Sequence, residues 1–143
     1  MANQVAVAMD RAWDSLANAD VELAQEVIAA DAKIDFLQNQ LAERAIDTLA
    51  LQGPVASDLR MIVGSLRMSA SLERMGDLAR HLAQLTRLRF PSRALPSEIT
   101  GTFSEMAKLD IQIAQAVAKL LDTRDLQIAR DINELNHRLD ALH

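Results

Sequence analysis

The sequence has no cysteine and no tyrosine, and it is poor in the residues that form turns and β-strands. Of its 143 residues, 4 are glycine, 3 are proline and only 3% are aromatic. Without cysteine the chain can form no disulfide, no thiolate metal site and no cysteine nucleophile, which fits a reducing cytosol. The scarcity of aromatic and turn-forming residues argues against a fold built from β-strands.

Segments that would indicate nucleic-acid binding or membrane insertion are also missing. The formal net charge is −5 and the sequence has no long run of lysine and arginine, so nucleic acid is not an expected partner. No charge-free apolar stretch approaches the roughly 20 residues of a membrane span. No basic segment precedes an apolar one after Met1, as a signal peptide requires. We therefore expect a cytoplasmic protein that reaches a membrane only through its partners.

The residues that are present favour an all-α fold. Half of the chain is hydrophobic, and this apolar content is alanine, leucine, isoleucine, valine and methionine, which suit closely packed helices. Apolar residues recur every three or four positions in five segments. The predicted helices cover residues 4–17, 20–52, 54–90, 97–121 and 126–143. Asp20 is predicted to cap the second helix, because its carboxylate can accept from the first backbone amides.

The second half of the sequence repeats the first with an offset of 105 residues. The identical pairs are Leu16 and Leu121, Asp20 and Asp125, Ala24 and Ala129, Asp35 and Asp140, and Leu37 and Leu142. The helix break and its capping aspartate recur in the same register, which favours duplication over shared helical periodicity. We predict a three-helix unit at 1–90, a linker at 91–96 and an incomplete, two-helix unit at 97–143.

The third predicted helix carries the most unusual side chains. Glu73 and Asp77 are one helical turn apart and lie on the same side of the helix as Ile62 and Leu66. Neighbouring carboxylates on an apolar face repel each other and lose hydration, and a multivalent cation shared by both would remove this cost. His81, a further turn along, could reach the same ion. The alternative is that arginine neutralises the acids, since Arg74 and Arg80 are close in sequence.

Other candidate groups support a structural interpretation more than a chemical one. Glu134 and His137 have the Glu-x-x-His spacing of di-iron bundles, but a second copy of the motif is missing. The acids of the second helix, including Asp31, are predicted to face solvent. Gly64 and Gly76 are interpreted as positions where a neighbouring backbone or a ligand comes close. A short basic cluster could meet an acidic partner or lipid headgroups, although such clusters are usually solvated; it consists of Arg87, Arg89 and Arg93.

Two linked motifs resemble those of the PhoU family. Residues 50–60, ALQGPVASDLR, are similar to the family signature LLALQxPVAxDLR, and residues 72–79, LERMGDLA, are similar to its LERIGDLA segment. The spacing of the two motifs also fits, and the segment around the linker resembles the actinobacterial branch. The resemblance covers essentially the whole chain.

The resemblance implies tandem three-helix bundles, a homo-oligomer such as a dimer, and an E/D-x-x-x-D motif that binds a metal such as iron or zinc. Glu73 and Asp77 match this motif, Asp58 is a weaker candidate for the same cluster, and the role of His81 is not carried over. The family represses the phosphate-starvation response by contacting the ATPase subunit of the phosphate ABC transporter and a sensor histidine kinase. No enzymatic activity is implied.

The sequence departs from the family pattern at its end. The second E/D-x-x-x-D motif and the closing part of the second repeat are absent, so we expect a shortened second unit. Self-association is also expected, because the fourth and fifth helices carry apolar stripes without partners of their own. The alternative function is a carboxylate-bridged, metal-dependent enzyme or a metal-storage bundle that uses Glu73, Asp77 and His137.

Overall fold

The computed structural model describes residues 1–142 and is helical throughout, with no strand in this range. The helices are α1 (Ala2–Asn18), α2 (Val21–Gln52), α3 (Ala56–Arg89), α4 (Ser97–Thr123) and α5 (Leu126–Asp140). This confirms the all-α prediction. The predicted bounds agree to within a few residues, although the predicted end of the last helix at His143 lies outside the described residues. None of the described helices combines the length and the apolar character needed to cross a bilayer.

The break between α1 and α2 recurs between α4 and α5. Ala19 and Arg124, which are 105 positions apart, both have a left-handed backbone, with φ values of 54° and 57°. The next residue caps the following helix in each case: Asp20 accepts from the amide of Leu23 at 3.0 Å, and Asp125 accepts from that of Gln127 at 2.8 Å. The structure thus reproduces the repeated corner in the register predicted from the sequence.

Helix α1 lies at the centre of the packing. It contacts α2, α3 and α4, while α5 contacts only α4 within the described part of the chain. Because α1 packs against α4, the helices on either side of the predicted linker share an interface. The core contains many alanines, which let helix axes approach closely, and comprises Val5, Ala8, Ala12, Ala24, Val27, Ile34, Leu72, Ala79 and Ala83.

One buried polar contact fixes the register of α1 against α3. The hydroxyl groups of Ser15 and Thr86 lie 3.3 Å apart, and both residues are almost completely buried. Each hydroxyl is also bonded to a carbonyl of its own helix, Ser15 to Ala12 and Thr86 to Leu82. Their hydrogen-bonding needs are thereby met inside the core.

Candidate functional site

The acidic pair of α3 lies on the half-buried flank of the helix. Glu73 and Asp77 are both partly exposed, and so are Ile62 and Leu66 on the same side. The predicted apolar face is therefore the edge of the α3 interface rather than its centre. Glu73 forms no ion pair with any residue in the range 1–142, whereas Asp77 has two arginine partners.

A glycine brings α2 against α3 beside Asp77. A β-carbon placed on Gly76 would lie 3.0 Å from Cδ1 of Ile34 and 3.5 Å from Oδ1 of Asp31, both on α2. A side chain at this position would require Ile34 to shift by a few tenths of an ångström. This agrees with the interpretation of Gly76 as a position of close approach. Gly64 does not serve this purpose, since a β-carbon there would meet nothing within 4 Å.

Arg80 links the acids of the two helices. Its Nη2 donates to Oδ1 of Asp77 at 2.6 Å, and its Nε lies 2.5 Å from Oδ2 of Asp31 on α2. Arg74 is more distant, with its Nη1 4.0 Å from Oδ2 of Asp77. The guanidinium of Arg80 is planar and offers donors in several directions, so it can bond two carboxylates at once. We call Asp31, Asp77 and Arg80 the arginine clamp.

The two acids of the arginine clamp have pKa values shifted in opposite directions. The hydrogen bond from Arg80 holds the pKa of Asp77 below its usual value, and the charges of Arg80, His81 and Arg74 act in the same sense. Burial raises the pKa of Asp31, and it outweighs the hydrogen bond from Arg80, which acts in the opposite direction. The pKa of Arg80 is raised, first by its hydrogen bond to Asp77. Arg80 therefore stays charged and stabilises the ionised form of Asp77 most strongly.

Asp31 was missed as a site residue by the sequence reasoning, which placed it on the solvated face of α2. The residue is only 7% exposed. A signal was present, because Ala24, Val27 and Ile34 are all buried, and Asp31 continues their spacing of three and four residues. An acid in such a stripe requires a partner from another helix. Here that partner is Arg80.

The predicted metal ligands do not form one cluster in this conformation. Asp58 lies on the exposed first turn of α3, and nineteen residues of continuous helix separate it from Asp77, roughly 28 Å along the axis. One ion therefore cannot contact both within one chain. His81 is exposed and lines an apolar cavity one turn beyond Asp77 on α3.

In the arrangement around Glu73 and Asp77, Asp77 already has a bonded cation. Arg80 is bonded to Oδ1 of Asp77, and its positive charge would repel a cation placed beside it. Within residues 1–142, no group of three or more acidic or histidine side chains could hold a metal ion. The positive charge beside Asp77 is supplied by Arg80, which was the alternative considered for this pair.

The Glu-x-x-His motif of α5 has no contact in this structure that would form a metal site. Glu134 and His137 are both exposed, and the ring Nε2 of His137 lies 3.4 Å from the amide nitrogen of Asn133 on the same helix. Nothing in these contacts favours a di-iron bundle.

An apolar cavity of about 800 Å³ opens between α1, α3, α4 and α5. Leu78, Leu82 and Leu85 form its α3 wall, Trp13 contributes from α1 and Leu139 from α5. Leu78 and Leu82 remain 49% and 39% exposed, so this wall is only partly covered. From α4 and α5 the cavity receives Ile113 and Leu139, which are half-buried. The exposed large apolar side chains of these two helices lie elsewhere and are Ile99, Phe103, Leu121 and Leu126.

Comparison with known proteins gives one consistent result. The PhoU domain family matches residues 1–86. Over all 143 residues the chain is 39% identical to the phosphate-specific transport system accessory protein PhoU homolog 2 of Mycobacterium tuberculosis, covering 67% of that protein. It is 38% identical to PhoU homolog 1 of Mycobacterium leprae, covering 64% of it.

The fold agrees with a solved relative. The crystal structure of the phosphate transport system regulatory protein PhoU from Streptococcus pneumoniae matches with a TM-score of 0.83 and 25% sequence identity. The match covers 99% of this chain and 65% of that one. The chain thus spans about two thirds of the length of the relatives it resembles.

Proposed function

This chain belongs to the PhoU family, and we propose that it acts in the cytoplasm as a non-enzymatic regulator of phosphate uptake. In this proposal it represses the phosphate-starvation response when phosphate is ample. It does so by contacting the ATPase subunit of the phosphate ABC transporter and the cytoplasmic part of a sensor histidine kinase. The observation that carries the proposal is that the chain is 39% identical over its full 143 residues to a phosphate-specific transport system accessory protein.

The geometry favours binding over chemical turnover. The acids of the arginine clamp already have a bonded cation, and Arg80 joins two helices instead of facing a substrate cavity. The larger unfilled feature is the apolar cavity along α3, and apolar concave surfaces are the usual sites of association. A regulator that works through contacts needs such surfaces.

A binding experiment tests the proposal directly. The purified chain would be immobilised and exposed to the transporter ATPase subunit, to the cytoplasmic part of the kinase, and to an unrelated ABC ATPase as a control. We expect saturable binding to the first two proteins and none to the control. The proposal would be contradicted if the chain bound the control ATPase as tightly as the other two proteins, or if it bound none of the three.

Self-association is part of the same proposal. Leu82 lies on the partly covered wall of the apolar cavity, and pairing of two such walls would remove apolar surface from water. Light scattering should give a mass above the 15.7 kDa of one chain. Leu82→Asp should shift the protein towards the monomer, whereas Phe36→Asp, at a 62% exposed position on α2, should not. A monomeric wild type would contradict this part of the proposal.

Metal binding at Glu73 and Asp77, with iron or zinc, remains a prediction of the family resemblance. In this chain the ion would compete with Arg80 for Asp77, because Arg80 already bonds Oδ1 of that carboxylate. The competition between the ion and Arg80 makes the prediction testable by mutation.

A further inference from the structure

We propose that the end of α3 and the turn after it form a surface that binds directly to anionic lipid headgroups of a bilayer. The surface, which we call the basic tip, consists of Arg87, Leu88, Arg89, Phe90 and Arg93. It differs from the expectation that the protein meets a membrane only through its partners. It does not depend on the proposed function, because lipid binding needs neither the transporter nor the kinase.

The local charge of this region opposes that of the whole chain. The twenty residues from 78 to 97 contain no aspartate or glutamate, although the chain as a whole has a net charge of −5. Arg87, Arg89 and Arg93 are all exposed, and none of them forms an ion pair with another residue in the range 1–142. Three exposed guanidinium groups without a salt bridge to any residue in the range 1–142 therefore lie within seven residues of one another in the sequence of an otherwise acidic protein, a separation of charge that favours contact with an anionic surface.

Two large apolar side chains are interleaved with these arginines. Leu88 is 81% exposed and Phe90 is 58% exposed. Their exposure to water is unfavourable, and their transfer to the boundary between headgroups and acyl chains would remove this apolar surface from water. Arginines beside them can extend along the bilayer and keep their charges at the phosphates. Apolar and basic side chains that alternate in this way provide the two signals that stable interfacial binding requires.

Helix termination alone does not explain the composition of the basic tip. Arg87 and Arg89 are in the last turn of α3, where positive charge complements the helix dipole. That effect needs no exposed leucine or phenylalanine, and it does not extend to Arg93, which lies beyond the end of the helix. The dipole therefore accounts for only part of the surface.

The position of the basic tip suits a flat partner. The surface lies at the end of α3, where the chain passes into the turn that leads to α4, and Leu88 also lines the apolar cavity. The Ser15–Thr86 contact places the α1–α2 corner near the same end. Among the acids of that corner, Asp20 uses its carboxylate to cap α2, whereas Asp14 and Glu22 are exposed. An exposed helix end that combines three arginines with Leu88 and Phe90 fits a bilayer, which takes up basic and apolar side chains together.

Co-sedimentation with vesicles tests the proposal. The intact chain would be mixed with phosphatidylcholine vesicles, with or without a substantial fraction of phosphatidylglycerol, at low and at high salt. We expect binding only when phosphatidylglycerol is present, and weaker binding at high salt. General adsorption cannot produce this result, since a protein with a net charge of −5 is repelled by an anionic surface.

Three variants identify the surface responsible. Arg87→Gln/Arg89→Gln/Arg93→Gln should lower the partition coefficient on the order of 100-fold, since each arginine near such a leaflet contributes about fivefold. Leu88→Ser/Phe90→Ser should lower it by about tenfold or more. The matched control is Arg60→Gln/Arg67→Gln, which removes exposed arginines from the other part of α3 and should leave binding unchanged. Helical circular dichroism would confirm that every variant is folded.

Several results would overturn the proposal. The wild type could fail to bind phosphatidylglycerol vesicles at low salt, or the control variant could lose as much binding as the triple variant. Binding of the basic tip to an acidic peptide in the absence of vesicle binding would likewise assign the surface to a protein partner.

Discussion

Oδ2 of Asp31 and Nε of Arg80 lie 2.5 Å apart and join α2 to α3. Asp31 is almost buried, so this contact brings a charge into the helix interface, where only a bonded partner makes it tolerable. The same guanidinium holds Asp77 one turn earlier on α3. The acid of the family motif is thus part of a two-helix clamp, and we expect the clamp to stabilise the packing of α2 against α3.

Replacing Arg80 should destabilise the fold. Arg80→Met keeps much of the side-chain length but leaves Asp31 buried without its cation, which we expect to cost about 2–3 kcal/mol. Arg74→Met is the matched control, because Arg74 is 66% exposed and 4.0 Å from Asp77; it should change stability by about 0.5 kcal/mol or less. The measurement is urea unfolding followed by circular dichroism. Equal effects from the two variants would show that Arg80 has no special role.

The two acids of the clamp should respond to pH in opposite directions. The folded pKa of Asp77 lies below the usual value of 3.8, so its contribution to stability is present above that value and is lost as the pH falls through the folded pKa. Asp77→Asn should therefore be less stable than the wild type at neutral pH, and the difference should shrink under acid conditions.

The folded pKa of Asp31 is raised instead, mainly by burial. The contribution of Asp31 to the free energy of unfolding is fully present below pH 3.8, the usual pKa of aspartate, and it is lost as the pH rises through the folded pKa. The stability difference between the wild type and Asp31→Asn should thus decrease with rising pH, opposite to the trend for Asp77→Asn. Unfolding midpoints of the three proteins across a pH series would measure both slopes. Parallel slopes would contradict the assignment.

The two internal glycines of α3 should respond differently to alanine. Gly64 is exposed and its added β-carbon meets nothing, so Gly64→Ala should stabilise the protein by about 0.5–1 kcal/mol through helix propensity. At Gly76 the β-carbon would press on the buried Ile34 at 3.0 Å. We expect Gly76→Ala to be less stable than Gly64→Ala by at least about 1 kcal/mol. Thermal unfolding of both variants makes the comparison, and similar gains in both would mean that α2 can move aside.

Metal binding should depend on Arg80. If an ion and Arg80 compete for Asp77, then Arg80→Met should bind zinc more tightly than the wild type, and Arg80→Met/Asp77→Ala should not. Isothermal titration with zinc, after removal of metal by a chelator, gives the affinities. Tight zinc binding by the wild type that survives Glu73→Ala/Asp77→Ala would place the ion elsewhere.

The fold could be predicted from the sequence because the patterns that indicate it involve residues close together in the chain. The spacing of apolar residues predicted five helices. Asp20 was predicted to cap the second of them, and its hydrogen bond from the amide of Leu23 confirms this. The recurrence of this corner at Asp125 followed from a fixed offset in the sequence. Such features depend on residues a few positions apart, so they can be deduced without knowledge of the tertiary structure.

The candidate site could be predicted only in part from the sequence, because its contacts join segments that are distant in the chain. Glu73 and Asp77 were recognised from their spacing within one helix. The burial of Asp31, however, depends on which side of α2 meets α3, and its bond to Arg80 spans nearly fifty residues of sequence. Spacing within α3 likewise offered both a metal and an arginine as the cation for Asp77. Only the packing of α2 against Gly76 shows how Arg80 reaches both acids.

We propose that this chain restrains the phosphate-starvation response, and a reporter of that response in its native host tests this most directly. The reporter would be measured at high phosphate in cells with the gene, without the gene, and with the gene restored. We predict low expression with the gene, high expression without it, and low expression again after restoration. Expression that stays low at high phosphate when the gene is removed would contradict the claim.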